Sequence, residues 1–142
     1  MAELVFKDPY VSIGGTVLSD HVRSVTIRYG AEIKDRTAGG NVGAGGVKAR
    51  EKIAGLVDWS MDIEFNQDYA AGEVDATLFP LVGAAEFAVV VKPDGSVTSA
   101  TNPSYTGNGV IESYEPIAGT VGEPVTAPVT VSGSGILQRA TE

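Results

Sequence analysis

The amino-acid sequence predicts a mainly β protein, an antiparallel β-sandwich or barrel-like fold with one short α-helix at about residues 70–79. Apolar and polar residues alternate with a period of two in several separate segments, which is typical of half-buried strands. Turn signals such as Asp94-Gly95 and Asn102-Pro103 separate these segments. The length of 142 residues and the lack of an internal repeat favour a single domain over residues 1–142.

The first strands are predicted to form a hairpin. Gly14-Gly15 separates Tyr10–Ile13 from Thr16–Leu18, and glycine can take the positive φ that both positions of such a turn need. The next segment, Arg23–Tyr29, alternates apolar residues with Ser24, Thr26 and Arg28. It is therefore predicted to be a strand with one buried face.

The clearest amphipathic strand is predicted at Trp59–Asn66. Its apolar face consists of Trp59, Met61, Ile63 and Phe65, and its polar face consists of Ser60, Asp62, Glu64 and Asn66. A second polar face is formed by Thr126, Thr130 and Ser132, opposite Val125, Ala127, Val129 and Val131. Each of these polar faces is expected to be exposed to water.

Three further strands and a helix complete the prediction. Strands are expected at Glu86–Lys92, at Val110–Tyr114 and, after a turn at Gly133-Ser-Gly135, at Ile136–Arg139. Apolar residues at helical spacing, beginning at Val74, predict the helix at about 70–79, which Pro80 and Gly83 would end.

The segment from Gly30 to Lys52 shows neither strand nor helix periodicity. It contains a glycine-rich run at residues 37–46, and glycine loses more conformational freedom on ordering than any other residue. The segment is therefore predicted to be a long, mobile loop, and long loops in compact domains are usually functional or disordered.

The residues predict no catalytic, cofactor-binding or metal site. The chain has no cysteine and one histidine, His21, which is interpreted as a surface residue at a turn. Asp62 and Glu64 would lie about 7 Å apart on one strand face, a spacing compatible with glycoside hydrolysis, although a solvated polar face is favoured. The glycine-rich run matches no phosphate-binding motif. The chain is therefore predicted not to be an enzyme.

Charge and hydropathy limit the partners and the compartment. The net charge of −8 argues against a surface that grips DNA, but it permits a surface along which DNA slides. No apolar run is long enough for a membrane span or resembles a signal peptide, so no membrane segment and no secretion by a signal peptide are expected.

Three collinear stretches resemble one known family. They are Val11–Val25 (VSIGGTVLSDHVRSV), Gly55–Ser60 continuing into Ile63–Asp68 and Val74–Gly83, and Asn102–Gly107 followed by Tyr114-x-Pro116. They are similar to the major tail tube proteins of long, non-contractile-tailed bacteriophages, especially those of actinobacteria. The resemblance covers roughly residues 10–139.

The resemblance implies a structural virion protein that forms stacked, six-membered rings around a lumen through which DNA passes during ejection into the host. It implies self-association, contacts with a tape-measure protein and with tail-tip and terminator proteins, assembly in the host cytoplasm and a final location in the virion tail. It also implies that the loop at 30–52 bridges adjacent rings. From the resemblance we hypothesise that one of the two polar faces lines the lumen, and the alternative is that they face outward. The candidate inter-ring residues are Gly39, Gly40, Asn41, Gly43, Gly45, Gly46, Lys48 and Arg50.

Other assemblies remain open from the sequence. The inner tube of a contractile tail or of a type VI secretion machine would share the architecture. A capsid decoration protein or a surface adhesion sandwich would show similar strands, and a small hydrolase is the remaining alternative.

Overall fold

The computed structural model describes residues 4–39 and 44–142, in which it contains seven strands and one short α-helix. The strands are β1 Tyr10–Ile13, β2 Thr16–Val17, β3 Val22–Asp35, β4 Lys52–Asn66, β5 Phe87–Lys92, β6 Ser104–Tyr114 and β7 Thr126–Ala140. The helix is α1 Val74–Leu78, and 3-10 turns occupy Ser19–His21, Ala44–Gly46 and Phe79–Leu81.

All strands belong to one sheet in the order β2-β1-β5-β6-β7-β4-β3, and every neighbouring pair is antiparallel. The predicted mainly β, antiparallel class is therefore confirmed. Instead of two separate sheets, one sheet curls on itself. Val25 and Ile27 of β3 line the same cleft as Val91 of β5 and Leu137 of β7, although several strands separate β3 from β5 in the sheet order.

The predicted strands are too short at several places. The predicted turn at Gly133-Ser-Gly135 is wrong, because these residues lie inside the continuous strand β7. A register shift between β6 and β7 occurs here, and Gly135 takes a φ of 90°, which glycine tolerates without strain. Gly135 therefore marks an irregularity within the strand, whereas Gly133 pairs in register with Gly109.

The predicted loop at 30–52 is wrong at both ends. Gly30 to Asp35 continue β3, and β4 begins at Lys52, with Gly30 opposite Asp58 and Asp35 opposite Lys52. Residues 30–35 of β3 and 52–57 of β4 are exposed, so no buried face imposes the alternation from which a strand is recognised. The connection itself runs from 36 to 51.

The buried core follows the predicted alternation of β4. Trp59, Met61, Ile63 and Phe65 are all at most 2% exposed, and they belong to one apolar cluster with residues of β1, β5 and β7. The predicted apolar face of Trp59 and Phe65 is thus buried in the core, and Phe87 of β5 is a core residue as well.

The helix is shorter than predicted. Residues 70–73 form turns, α1 spans Val74–Leu78, and the 3-10 turn Phe79–Leu81 follows it directly. A helix of five residues is not stable alone in water. Val74 and Leu78 are fully buried, and burial of such side chains contributes about 1.5–3 kcal/mol each. Tertiary packing therefore holds the helix in place.

Trp59 packs against three glycines, two on β6 and one on β7. A Cβ atom on Gly133 would lie 2.4 Å from the indole Nε1, and one on Gly107 would lie 2.8 Å from Cζ2. Gly109 is equally confined, because its Cβ would lie 2.7 Å from a methyl group of Val131. Only glycine fits at these positions, since real Cβ atoms do not approach other atoms so closely.

Among the described residues, no helix is both long and apolar enough to cross a membrane.

Candidate functional site

The two predicted polar faces form one surface. β4 and β7 are neighbours, and Ser60 pairs with Ser132, Asp62 with Thr130 and Asn66 with Thr126. Residues directly opposite each other in an antiparallel pair project to the same side of the sheet. On the other side of β4, β3 adds Ser24 opposite Glu64, Thr26 opposite Asp62 and Arg28 opposite Ser60. We call this surface of β3, β4 and β7 the polar sheet face.

The acids of the polar sheet face are paired with arginines of β3. Arg28 Nη1 donates to Asp62 Oδ2, and Thr130 Oγ1 donates to Asp62 Oδ1 at 3.0 Å. Arg23 Nη1 lies 3.1 Å from Glu64 Oε1. The hydrogen bond from Arg28, followed by that from Thr130, lowers the pKa of Asp62. All four charged side chains remain at least 42% exposed.

The polar sheet face is therefore locally balanced in charge. Asp62 and Glu64 carry two negative charges, and Arg23 and Arg28 carry two positive charges. The sequence placed Arg28 on the polar side of its strand but did not show that it would lie beside Asp62. That contact depends on the pairing of β3 with β4, which sequence periodicity does not reveal.

A two-stranded arm extends from the sheet. We call the segment from Gly30 to Val57 the hairpin arm, because β3 and β4 are the only strands that pair among its described residues. Its apolar side chains are exposed, namely Ile33 at 59%, Ile53 at 50% and Leu56 at 79%. Exposed apolar side chains grouped on a protruding element are typical of a surface that meets a partner. Sequence analysis missed these residues, because Ile33 fell in the predicted loop at 30–52, and Ile53 and Leu56 came before the predicted strand at Trp59–Asn66.

The loop of the hairpin arm is closed by a network of hydrogen bonds. Asp35 accepts hydrogen bonds from the Thr37 backbone N–H and from Arg50 Nη1, both at 2.8 Å. Hydrogen bonding with Thr37, through its side chain and then its backbone, lowers the pKa of Asp35. The Glu51 backbone N–H donates to Thr37 Oγ1 at 2.7 Å, and the Arg36 N–H donates to Glu51 O at 2.9 Å. The base of the loop is thus fixed independently of its tip.

The candidate inter-ring residues have different positions on this loop. Gly45 and Gly46 lie in the 3-10 turn with φ values of 73° and 77°, and Gly39, Lys48 and Arg50 are exposed. Gly40, Asn41 and Gly43 lie outside the described residues. The bridging role and the mobility of the loop stay predictions.

The sheet ends in one long free edge. In the described part of the chain, β3 pairs with β4 on one side and with no strand on the other, over 14 residues. The opposite edge strand, β2, has only two residues. A long unpaired edge presents backbone N–H and C=O groups to any incoming strand, and proteins usually protect such edges.

Two motifs noted in the sequence, which begin at Asn102 and at Tyr114, stabilise the fold. Tyr114 Oη donates to Asp75 Oδ1 at 2.8 Å and accepts from Gln67 Nε2 at 3.0 Å, which anchors α1 to the sheet. Burial raises the pKa of Tyr114 to about 12. The buried Asn102 side chain bonds four backbone groups of its loop and thereby explains the turn before β6.

His21 lies in a different environment from the predicted surface turn. It ends the 3-10 turn Ser19–His21, its side chain is 21% exposed, and its Nε2 lies 2.7 Å from Glu73 Oε2. Asp68 Oδ2 lies 3.8 Å from the same nitrogen. Chain folding brings these groups together from distant positions, so their sequence spacing carried no signal.

Comparison with solved structures identifies the fold. This chain is similar to a chain of the virion of a native gene transfer agent particle, over 97% of this chain and 99% of that one (TM-score 0.74, 18% identity). It is also similar to a chain in the C6-symmetric tail of an empty particle of that kind, over 92% of both chains (TM-score 0.66, 20% identity). It also resembles the SPP1 tail tube over 99% of this chain and 80% of the other (0.68, 13%). A chain of the sheath-tube complex of PVC, an extracellular contractile injection system, matches 98% of this chain and 91% of its own length (0.68, 10%).

No protein-family model and no curated protein sequence matches the chain. The structural matches cover nearly the whole chain at TM-scores well above chance similarity, while identity stays at or below 20%. The chain therefore has the fold of phage-type tail tube proteins. The fold class that its sequence motifs implied is confirmed.

Proposed function

We propose that this protein is the structural subunit of a phage tail tube, assembling into stacked hexameric rings whose lumen conducts DNA during genome ejection. The observation that carries the proposal is the near full-length match to the SPP1 tail tube and to a gene transfer agent tail with C6 symmetry. The sequence motifs that resemble tail tube proteins support the same function independently.

The free surfaces of the subunit support self-assembly. An open sheet with a 14-residue unpaired edge is completed when it meets the edge of a neighbouring copy, and closure into a ring removes all free edges. The exposed apolar residues of the hairpin arm would be covered in the same assembly. The proposed tube thus satisfies the two features that leave the isolated subunit incomplete.

Electron microscopy of the purified protein tests the proposal. We expect hollow tubes, or rings of six subunits, when the protein is concentrated. A protein that stays monomeric at the highest soluble concentration and does not enter tubes when tail-tip components are supplied would contradict it. A monomer would instead favour an adhesion module.

We propose that the polar sheet face lines the lumen. Six copies carry a formal charge of −48, six times −8, so DNA passing through the ring meets an excess of negative charge overall. At the face itself, each arginine is held by a carboxylate. Pairing keeps the arginines from binding phosphates, and hydroxyl groups of Thr130 and Ser132 leave the wall polar and wetted.

Neutralising the two acids of this face should slow DNA passage. In Asp62→Asn/Glu64→Gln tubes, each ring loses twelve negative charges, two per subunit in six subunits, and Arg28 and Arg23 lose their partners. We expect a several-fold slower ejection at low salt that recovers as salt rises, because binding of arginines to phosphates is strongly salt-dependent. Fluorescence measurement of DNA release from purified phage checks this.

The control removes the arginines as well. The quadruple variant with Arg23→Gln and Arg28→Gln should eject DNA at the wild-type rate, because no free cation remains on the face. Normal ejection by the double variant, in tubes of normal length, would place Asp62 and Glu64 away from the lumen.

The remaining roles follow from tube assembly. We propose contacts with a tape-measure protein and with tail-tip and terminator proteins, assembly in the host cytoplasm and a final location in the virion tail. The proposed protein acts by assembly alone and carries out no catalysis. No membrane segment or specific DNA site is needed for this function.

A second candidate function is the inner tube of a contractile injection machine. The match to the PVC sheath-tube complex, with a TM-score equal to that of the SPP1 tail tube, favours it. The two functions differ in one partner, since a contractile machine surrounds its tube with a sheath. Particles purified from lysates would show by microscopy whether tubes of this protein carry a sheath.

A further inference from the structure

A cluster of three potential metal ligands lies where the chain enters β3 and leaves β4. His21 ends the 3-10 turn before β3, Asp68 follows β4, and Glu73 directly precedes α1. One ligand atom from each residue lies within 4.8 Å of the other two. The cluster lies outside the polar sheet face and the hairpin arm, and the proposed tube function does not use it.

The distances suit a small, tetrahedral metal ion. Zn²⁺ binds histidine nitrogen and carboxylate oxygen at about 2.0–2.2 Å, so two ligand atoms of a tetrahedral site lie about 3.3 Å apart. His21 Nε2 is 2.7 Å from Glu73 Oε2 and 3.8 Å from Asp68 Oδ2, on either side of that value. Side-chain shifts of about 0.6 Å would bring both of these distances to that value, and the two carboxylate oxygens lie within 4.8 Å of each other.

Hydrogen bonds with the backbone of Ala70 already help to position Asp68 and Glu73. Asp68 Oδ1 accepts from the Ala70 N–H at 2.9 Å, which leaves Asp68 Oδ2 directed to His21. The Glu73 N–H donates to Ala70 O at 3.2 Å and fixes the position from which the Glu73 side chain reaches His21. Hydrogen bonds of this kind hold metal ligands in place in known sites.

Charge and exposure agree with a bound cation. Among the described residues, no lysine or arginine forms an ion pair with Asp68 or Glu73, so their negative charges face only the single imidazole. The side chains of His21, Asp68 and Glu73 are 21%, 36% and 40% exposed. An ion can therefore enter, and water can complete its coordination.

We propose that His21, Asp68 and Glu73 bind one divalent transition-metal ion, with Zn²⁺ as the best fit and water as the fourth ligand. One imidazole and two carboxylates form a donor set that zinc accepts, whereas Mg²⁺ prefers oxygen ligands in an octahedron. The ion fastens the turn before β3 to the connection between β4 and α1. It is a structural ion that stabilises the subunit.

Binding is tested on the full-length protein, purified without a histidine tag and treated with EDTA before dialysis. Calorimetric titration with ZnCl₂ should show one ion per chain. Thermal unfolding should shift upward by roughly 5–10 °C when free Zn²⁺ is about a hundred times the Kd. MgCl₂ at the same concentration should produce no comparable shift. CoCl₂ should give the visible absorption of tetrahedral cobalt, which ZnCl₂ then removes.

Variants assign the ligands. His21→Gln and Glu73→Gln should each weaken zinc binding at least about tenfold. Asp20→Asn, in the same turn but outside the cluster, should bind zinc as the wild type does. The opposing explanation is a protonated His21 that forms ion pairs with both acids. It predicts a wild-type protein that shows no zinc-dependent shift and no cobalt absorption, and that result would overturn the proposal.

Zinc binding that persists unchanged in both His21→Gln and Glu73→Gln would overturn it equally. The cobalt spectrum is recorded on the wild-type protein, so it remains decisive if a variant fails to fold. Tube formation is not a readout of this experiment, and its outcome is therefore independent of the proposed function.

Discussion

A Gly133→Ala variant is expected to lose about 3 kcal/mol or more of its free energy of unfolding. The added Cβ would lie 2.4 Å from Trp59 Nε1 and 2.5 Å from two ring carbons. The indole cannot move aside, because it is 2% exposed and Gly107 confines its far end. Either the ring leaves the core or β7 separates from its neighbours. Urea unfolding, followed by far-UV circular dichroism, measures the loss.

Gly30→Ala is the matched control. Gly30 also lies in a long strand, has no atom within 4 Å of its would-be Cβ and does not need a positive φ. Its substitution should change the free energy of unfolding by less than about 1 kcal/mol. In a Trp59→Leu background, Gly133→Ala should cost clearly less than in the wild type, because the clash has been removed. Equal unfolding midpoints for Gly133→Ala and Gly30→Ala would show that Trp59 does not pack as described.

Deleting residues 39–46 is expected to leave a folded subunit that forms no long tubes. The hydrogen bonds of Asp35, Thr37, Arg50 and Glu51 close the arm below the deleted segment. The residues that remain between Thr37 and Arg50 are enough for a tight hairpin connection. The deleted tip is the part proposed to reach the next ring. Circular dichroism checks the fold, and electron microscopy measures tube length.

A second variant separates length from side-chain contacts. Replacing residues 39–46 by eight glycine and serine residues keeps the reach of the loop and removes its own side chains. Tubes of intermediate length from this variant would show that both reach and contacts matter. Tubes of normal length from the deletion variant would contradict a bridging role for the loop.

The fold was predictable wherever one strand face is buried. Trp59–Phe65 and Ala127–Val131 show the expected alternation because the core selects apolar residues at every second position. Prediction failed on the hairpin arm, where both faces are exposed and no such selection acts. It also failed at Gly133-Ser-Gly135, because a glycine required for close packing against Trp59 resembles a glycine required for a turn.

The site was predictable in composition but not in arrangement. The polar residues of β4 and β7 were recognised separately, and only the strand order shows that they form one surface. The pairing of Arg28 with Asp62 and of His21 with Glu73 depends on contacts between segments far apart in the chain. A single sequence contains the donors and acceptors of such contacts, but not the geometry that joins them.

The length of β3 and β4 has a mechanical consequence for the proposed tube. Each strand runs from the apolar core to the base of the loop in the hairpin arm, as β3 does from Val22 to Asp35. Tension between stacked rings would be transmitted into the subunit along these two strands. Because the force would run parallel to the strands, the hydrogen bonds that join β4 to β3 and β7 would bear it in shear and simultaneously. Such a tube would resist stretching while bending at the joints between rings, as a flexible conduit of fixed length must.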